Sequence, residues 1–412
     1  VALADGPTLA RAKMPPRVLS PGIVATSRVV DGARRNKRSQ ALRGVVAVLS
    51  GLFMLASPFV GTTFVLITIL LVFDWWLPAV YNWVGLGLQT YWYWQIVSFI
   101  EVFNGVQLVV TGDDIPTGAR SESALVICNH PSESDWMWFW SVALRAGAQG
   151  GVRIVLKHVL MYVPVLGWCM DWFGYIFLCR DWKIDEHQIT HSIAQMKKDR
   201  AKFNRDFWLF LFPEGTDYSK RKHEKSRKYA RQHNLPEYEN LLLPRTTGFV
   251  HFTHNCGDVI DAVYDMTIAY ESADVPTFWS AATGVSPRIV HMHIRRYPRA
   301  VLPKHDDHKR WAQVLFDMYA EKDKLLARFA REQRFDTKPA AWWWPIQTWR
   351  CALAIAFWFM YNVVQYYFFY QYVYLRYYAY AGMTLQALSV FYPFRQIFRL
   401  SPWPKQQQQQ QQ

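Results

Sequence analysis

The sequence predicts an α/β domain set between apolar helical segments. Three observations carry this expectation. Long uncharged runs stand near both ends of the chain, short apolar stretches alternate with amphipathic ones in the middle, and charge is balanced only in that middle part. Apolar strands alternating with helical patterns build an α/β sheet. An uncharged run beyond about 20 residues is long enough to cross a bilayer as a helix.

Composition narrows the class. Of 412 residues, 51% are apolar, 17% aromatic and 19% charged. That excludes a chain disordered throughout, and it points to membrane contact. The net charge is +14, unevenly spread. Residues 1–43 carry +7, 44–104 carry −2, 105–340 carry +4 and 341–412 carry +5. The basic excess thus flanks the apolar segments, where anionic headgroups attract it. A nucleic-acid-binding protein would carry its charge on the folded domain, so nucleic acid is not an expected partner. Five scattered cysteines with no CxxC read as reduced thiols on a cytosol-facing domain.

The elements follow in order. Residues 1–43, rich in Pro, Gly, Ser and Arg, read as a disordered basic cytosolic tail. Residues 44–104 form an N-terminal membrane region of one or two spans. Its first run, 44–73, is a span with a cytosolic N-terminus. Its second, Trp75–Ile100, is a returning span, an interfacial segment or a buried hairpin. Residues 105–300 are the α/β domain. Ala124–Cys128, Val152–Leu156, Phe207–Phe212, Val259–Ile268 and Ile289–Ile294 read as strands, with helices over Trp136–Leu144 and Ile184–Phe203. Residues 301–340 are a helical extension, its Trp311–Phe329 stretch amphipathic. Residues 341–400 are a C-terminal membrane region: a Trp342–Pro345 anchor, a span over Cys351–Leu375, and a Tyr-rich run that is interfacial or a second span. Residues 401–412 are a Gln-rich tail.

Three strand ends carry residues with chemistry. In Ala124-Leu-Val-Ile-Cys-Asn-His130-Pro-Ser-Glu-Ser-Asp135, an apolar strand stops at His130. Pro131 suits the first position of a helix and Glu133 its first turn. His130, outside the helix, folds back toward Asp135, and a carboxylate-oriented imidazole can take a proton from an alcohol. A helix-capping His with Asp135 in a surface ion pair is the competing account. Phe207–Phe212 runs into Pro213-Glu214-Gly215-Thr216, which holds a carboxylate and a hydroxyl at the sheet edge. Arg180 ends the apolar stretch after Gly174, and its fork matches phosphate oxygens. Its alternative is an ion pair with Asp181 or Asp185.

In this order, His-x4-Asp, Gly…Phe-x-x-Arg and Phe-Pro-Glu-Gly-Thr resemble the glycerophospholipid acyltransferase family. Lys157, Pro164, Gly167 and Trp168 upstream of the Arg motif add to the likeness, as do Leu243–Gly248 and Val263–Tyr270 downstream. Asp135-Trp136-Met137, Pro-Arg-Thr-Thr-Gly-Phe and His291–Arg296 look most like the branch holding lysocardiolipin and lysophosphatidylinositol acyltransferases beside lysophosphatidate acyltransferases.

The resemblance implies a mixed sheet flanked by helices, an endoplasmic-reticulum membrane enzyme, and acyl transfer from acyl-CoA to a lysophospholipid hydroxyl. Lysophosphatidate is the default acceptor, and lysocardiolipin or lysophosphatidylinositol the alternative. It implies His130 as general base and Asp135 as its orienting partner. Arg180, Glu214, Gly215 and Thr216 would bind the acceptor, with Lys157, Pro213 and Arg245 in support, and Ile268 would shape the pocket. Acyl-CoA is a co-substrate; no cofactor or metal is expected. His251-x-x-His254-x-Cys256 has zinc-like spacing but no evident fourth ligand. The basic run Lys220–Arg231 is a solvated face or a contact for lipid or CoA phosphates. A catalytically inactive lipid-binding membrane protein is the rival from another class. A hydrolase using Ser132 or Ser134 is a third possibility.

Overall fold

A computed structural model describes residues 77–117, 122–163, 166–271, 275–277, 289–336, 338–340, 343 and 346–388. The tail over 1–43, the first apolar run over 44–73, Pro164 and the glutamines lie outside those residues.

Seven strands form one sheet: β1 (Gln107–Gly112), β2 (Ala124–Cys128), β3 (Val152–Lys157), β4 (Ile176–Leu178), β5 (Trp208–Leu211), β6 (Ala262–Tyr270) and β7 (Ile289–Pro298). Their spatial order is β1-β7-β6-β2-β5-β3-β4. β6, β2, β5, β3 and β4 run parallel, while β7 is antiparallel to β6 and parallel to β1. The sheet is therefore mixed, as expected. β2 is buried along its whole length, and so is β5. Both faces are covered, which is why these strands read as continuous apolar runs rather than alternating ones.

Alternate residues feed two cores. Ala124, Val126 and Cys128 pack with Trp208 and Phe210 under helices α1 (Pro78–Val97), α2 (Trp136–Ala146) and α3 (Leu166–Trp172). Leu125, Ile127, Leu209 and Leu211 pack on the other face, under α4 (Trp182–Phe203), α6 (Thr246–Cys256) and α7 (His308–Glu332). Between α4 and α6 in the chain, α5 (Lys220–Gln232) follows the Pro-Glu-Gly-Thr turn. Period-2 placement sends neighbours to opposite faces, giving three layers.

Helix α7 shows how its sequence dictates it. Asp307 accepts from the Arg310 amide as N-cap, and Gln333 ends the helix in a left-handed conformation. Trp311, Leu315, Met318, Tyr319, Lys322, Leu325 and Phe329 form one buried stripe. Lys322 is the exception in charge. Its ammonium sits 2.5 Å from Asp265 of β6, with both side chains sealed from solvent, and it donates to the Met266 carbonyl.

Of the three readings of Trp75–Ile100, the described part is a helix packed into the domain. Trp92 to Ile100 all lie in its core, whereas Trp83 is 76% exposed. α1 packs against α8 (Thr348–Gln371), with Tyr91 and Phe357 stacked at 4.8 Å. Among the described residues, α8 alone is long and apolar enough to cross a membrane. It turns Cys351, Ala354 and Trp358 inward and leaves Leu353, Phe359, Met360, Val363 and Val364 exposed. α9 (Val373–Leu388) follows at once. Of the expected aromatic anchor, Trp343 alone is among the described residues, and the Arg145 guanidinium lies over its ring at 4.1 Å.

Candidate active site

β2 and β5 are neighbours, and the chain leaves their C-terminal ends in opposite directions, toward β3 and toward β6. Such a switch point opens a crevice where α/β sheets place their sites. His130 stands at the end of β2, and the Pro213–Thr216 turn at the end of β5.

The segment after His130 differs from the expected helix. α2 begins at Trp136, so Pro131 opens a turn rather than a helix. The cause is local. The Ser132 amide donates to Asp135 Oδ2 at 2.8 Å and the Ser134 amide to Ser132 Oγ at 3.0 Å. Side-chain acceptors close to the backbone favour such turns over helix. The fold-back still occurs: His130 Nδ1 lies 3.1 Å from Asp135 Oδ2.

Asp135 is fully buried, while the His130 side chain is 12% exposed. Burial holds the Asp135 carboxyl above its ordinary value, and the His130, Tyr270 and Ser132 donors offset part of that rise. The Tyr270 hydroxyl donates to Oδ1 and itself accepts from Trp138 Nε1 at 2.8 Å. With Nδ1 engaged, Nε2 is the imidazole nitrogen left to accept a proton. The ring stacks on Phe212, centroids 4.1 Å apart.

The backbone of His130 is clamped from β5. Its amide donates to Glu214 Oε1 at 3.1 Å, and its carbonyl accepts from the Tyr218 amide at 2.7 Å. Glu214 Oε2 accepts from the Leu242 amide at 3.2 Å. The structure thus places Glu214 beneath His130, at the end of β5. Its side chain is buried and both oxygens hold the chain's own amides. Burial pushes its carboxyl up to about 8. Next to His130, Asn129 pairs with both backbone groups of Ile268, at 2.9 and 2.8 Å, which extends the β2–β6 ladder by one residue.

The other expected residues gather around the turn. Arg180 has a left-handed backbone, φ 68°, an unfavourable conformation for a residue with a Cβ. Asp185 holds it there, accepting from the Cys179 and Arg180 amides at 2.8 and 2.9 Å. The Arg180 guanidinium donates to the Gly215 carbonyl at 2.9 Å. Gly215 has φ 71°, and a Cβ on it would lie 3.1 Å from Arg245 Nε. The Arg245 amide in turn donates to the Pro213 carbonyl at 2.8 Å. Thr216 donates to Asp217, which also meets Lys222 at 2.9 Å and Lys157 at 3.8 Å. Cationic side chains therefore rim a turn whose one buried carboxylate faces inward, an arrangement suited to an anionic ligand.

Ser132 and Ser134 are buried, their hydroxyls 2.8 Å apart and both within hydrogen-bond reach of the Pro276 carbonyl, which one of them donates to while the other donates to its neighbour. They tie down a loop and are not presented as nucleophiles. The His251, His254 and Cys256 polar atoms do not converge. They meet Thr190, His308 and the Phe252 carbonyl respectively. His291 meets Glu271, and His293 meets Thr111. Reading the sequence by motif leaves out Tyr270, Asp185, Asn129 and Phe212 as members of the site. Each flanks or ends a motif; the sheet brings Tyr270, Asn129 and Phe212 together around His130, while Asp185 reaches Arg180 locally from the start of α4.

Comparison with known proteins supplies the family. Residues 107–271 match the family described as Acyltransferase, and residues 282–358 the one described as Acyltransferase C-terminus. The chain is 38% identical over 248 residues to a protein named "Probable 1-acyl-sn-glycerol-3-phosphate acyltransferase 5" of Arabidopsis thaliana, spanning 58% of this chain and 63% of that one. It is 33% identical over 276 residues to 1-acyl-sn-glycerol-3-phosphate acyltransferase 2 of Brassica oleracea, covering 65% and 68%. It is also 33% identical over 274 residues to lysocardiolipin acyltransferase 1 of Mus musculus, covering 64% and 70%. The chain belongs to the glycerophospholipid acyltransferase family.

Proposed function

We propose that this chain is a membrane enzyme that moves a fatty acyl group from acyl-CoA to the free hydroxyl of a lysophospholipid, with lysophosphatidate as the default acceptor. The observation that carries the reading is the His130 Nδ1–Asp135 Oδ2 contact of 3.1 Å at the end of β2. Nε2 of His130 removes the acceptor's hydroxyl proton as the oxygen attacks the thioester carbonyl. The tetrahedral intermediate collapses with cleavage of the C–S bond, and the imidazolium returns the proton to the departing thiolate. Asp135 fixes the tautomer and stabilises the imidazolium, as in a serine-protease pair in which the substrate supplies the nucleophile. No acyl-enzyme is required.

Arg180 and the cationic rim at Gly215 hold the acceptor's phosphate, with Thr216, Lys157 and Arg245 beside it. Glu214 acts as a positioning residue, through the His130 amide. The likeness to lysocardiolipin acyltransferase 1 supports a second acceptor class, with lysocardiolipin or lysophosphatidylinositol in place of lysophosphatidate. Helix α8 supports membrane attachment; use of cytosolic acyl-CoA favours a domain on the cytosolic face, and the endoplasmic reticulum is the membrane that the family resemblance implies. The test is to incubate membranes containing the chain with labelled oleoyl-CoA and a panel of lysophospholipids. Labelled diacyl product supports the reading, and the best acceptor identifies the branch. No transfer above host membranes across a varied acyl-CoA set would favour the lipid-binding rival.

A further inference from the structure

At the opposite end of the parallel strands lies a half-open cavity of about 520 Å³. Arg153 is the second residue of β3, and Arg205 precedes β5. These positions are about 15 Å along the strands from the end that holds His130. Lys198 and Lys202, on the last turns of α4, complete a cationic wall. Among the described residues, none of these four forms an ion pair, although Asp171 and Asp199 also line the cavity. Asp199 is the acid whose charge both guanidiniums sense, and one of its oxygens accepts from Gln195 at 2.9 Å.

The cations are held in place. Gly174 has φ 76°, and a Cβ there would lie 2.8 Å from Arg153 Nε, so the missing side chain makes room for the guanidinium. Lys202 and Arg205 both lie over the Phe203 ring, at 5.1 and 6.0 Å. Burial pushes the Arg153 and Arg205 guanidiniums down from their ordinary values. They remain charged at neutral pH, and one carboxylate, Asp199, is shared between the two guanidiniums, so a further anion beside them would be favourable.

Helix α1 lines the cavity through Gly85, Leu86 and Gln89, and Trp172 adds an aromatic surface beside Gly85. One turn earlier α1 exposes Trp83, and α1 packs on α8, whose outward face is apolar. The cavity therefore combines cations from β3, α4 and the start of β5 with a helix, α1, that packs on the outwardly apolar α8.

We propose that this cavity is a second lipid site, which seats the phosphate of an anionic membrane phospholipid on Arg153, Lys202 and Arg205 and the start of its acyl chains along Leu86 and Trp172. It lies apart from the acceptor site, so its occupancy is read without any activity assay. The full chain in detergent is mixed with equimolar phosphatidylglycerol and phosphatidylcholine, and bound lipid is read by native mass spectrometry. Wild type retains phosphatidylglycerol in preference. Lys202→Gln/Arg205→Gln lowers that adduct roughly tenfold, while Arg221→Gln/Lys225→Gln on exposed α5 leaves it unchanged. Lys198→Gln/Lys202→Gln, at two exposed positions, gives the same direction if loss of Arg205 upsets folding. Equal phosphatidylglycerol retention by the wild type and both cavity variants would overturn the proposal, as would equal retention of phosphatidylcholine. A parallel arm offers inorganic pyrophosphate. A pyrophosphate adduct that depends on Lys202 and Arg205, without a lipid adduct, would assign the site to a soluble phosphoanhydride and overturn the lipid assignment.

Discussion

The Tyr270 hydroxyl donates to Oδ1 of Asp135, the oxygen opposite the one that meets His130. The carboxylate is thus held from both sides, and Trp138 fixes the tyrosine in turn. Loss of one hydrogen bond to a charged acceptor is worth about 1.5–3 kcal/mol. Tyr270→Phe should lower kcat roughly 10- to 100-fold with little change in acceptor KM. Asp135→Asn, which keeps the shape but favours the wrong tautomer, should lower kcat by about 10⁴. Steady-state kinetics on both variants checks the order; equal kcat for Tyr270→Phe and wild type would remove the tyrosine from the site.

Glu214 makes folding pH-dependent. Its carboxyl is raised to about 8 in the folded chain, above the ordinary 4.5. The folded state therefore holds a proton that the unfolded state releases. Its stabilising contribution is full below about pH 4.5 and is lost as pH rises through 8. Glu214→Gln cannot titrate. The difference in unfolding midpoint between wild type and Glu214→Gln should shift against the wild type from pH 5 to pH 9. Parallel profiles across that range would contradict the assignment.

Lys322 and Asp265 form a buried pair, and removing one partner leaves the other charge sealed in the core. Lys322→Ala should destabilise by about 3–5 kcal/mol. Lys322→Met with Asp265→Leu should recover most of that loss, since an apolar pair of similar volume replaces a buried ion pair with little penalty. Denaturant unfolding of the single and double variants measures the recovery.

Arg180 reaches Gly215 from a strained backbone that Asp185 supports. Arg180→Ala should raise the acceptor KM about 10- to 100-fold, in keeping with loss of a charge-assisted contact. Asp185→Ala should act in the same direction but less. An unchanged KM in Arg180→Ala, with a normal kcat, would place the phosphate elsewhere.

Much of this was legible in the sequence, for physical reasons. The apolar runs at Ala124–Cys128 and Phe207–Phe212 read as strands because both their faces are buried, and each stops at the residue that turns toward the site. His130 and Asp135 were legible as a pair because His130 lies outside any helix. The start of α2 was not legible, since Pro131 suits a first helical position and only the hydrogen bonds among Ser132, Ser134 and Asp135 decide against it. The convergence of the His130 and Leu242 amides on Glu214 was not legible, since Leu242 lies 28 residues further along the chain. Tyr270 ends β6, 135 residues from Asp135, and only strand register makes them neighbours.

The most direct measurement is acyl transfer from labelled oleoyl-CoA to lysophosphatidate and lysocardiolipin by His130→Gln, beside the wild type and Ser132→Ala, at matched expression. His130 as general base predicts transfer by the wild type, near-wild-type transfer by Ser132→Ala and a loss of about 10³-fold or more in His130→Gln. Retained transfer in His130→Gln, or collapse in Ser132→Ala with a folded protein, would contradict it.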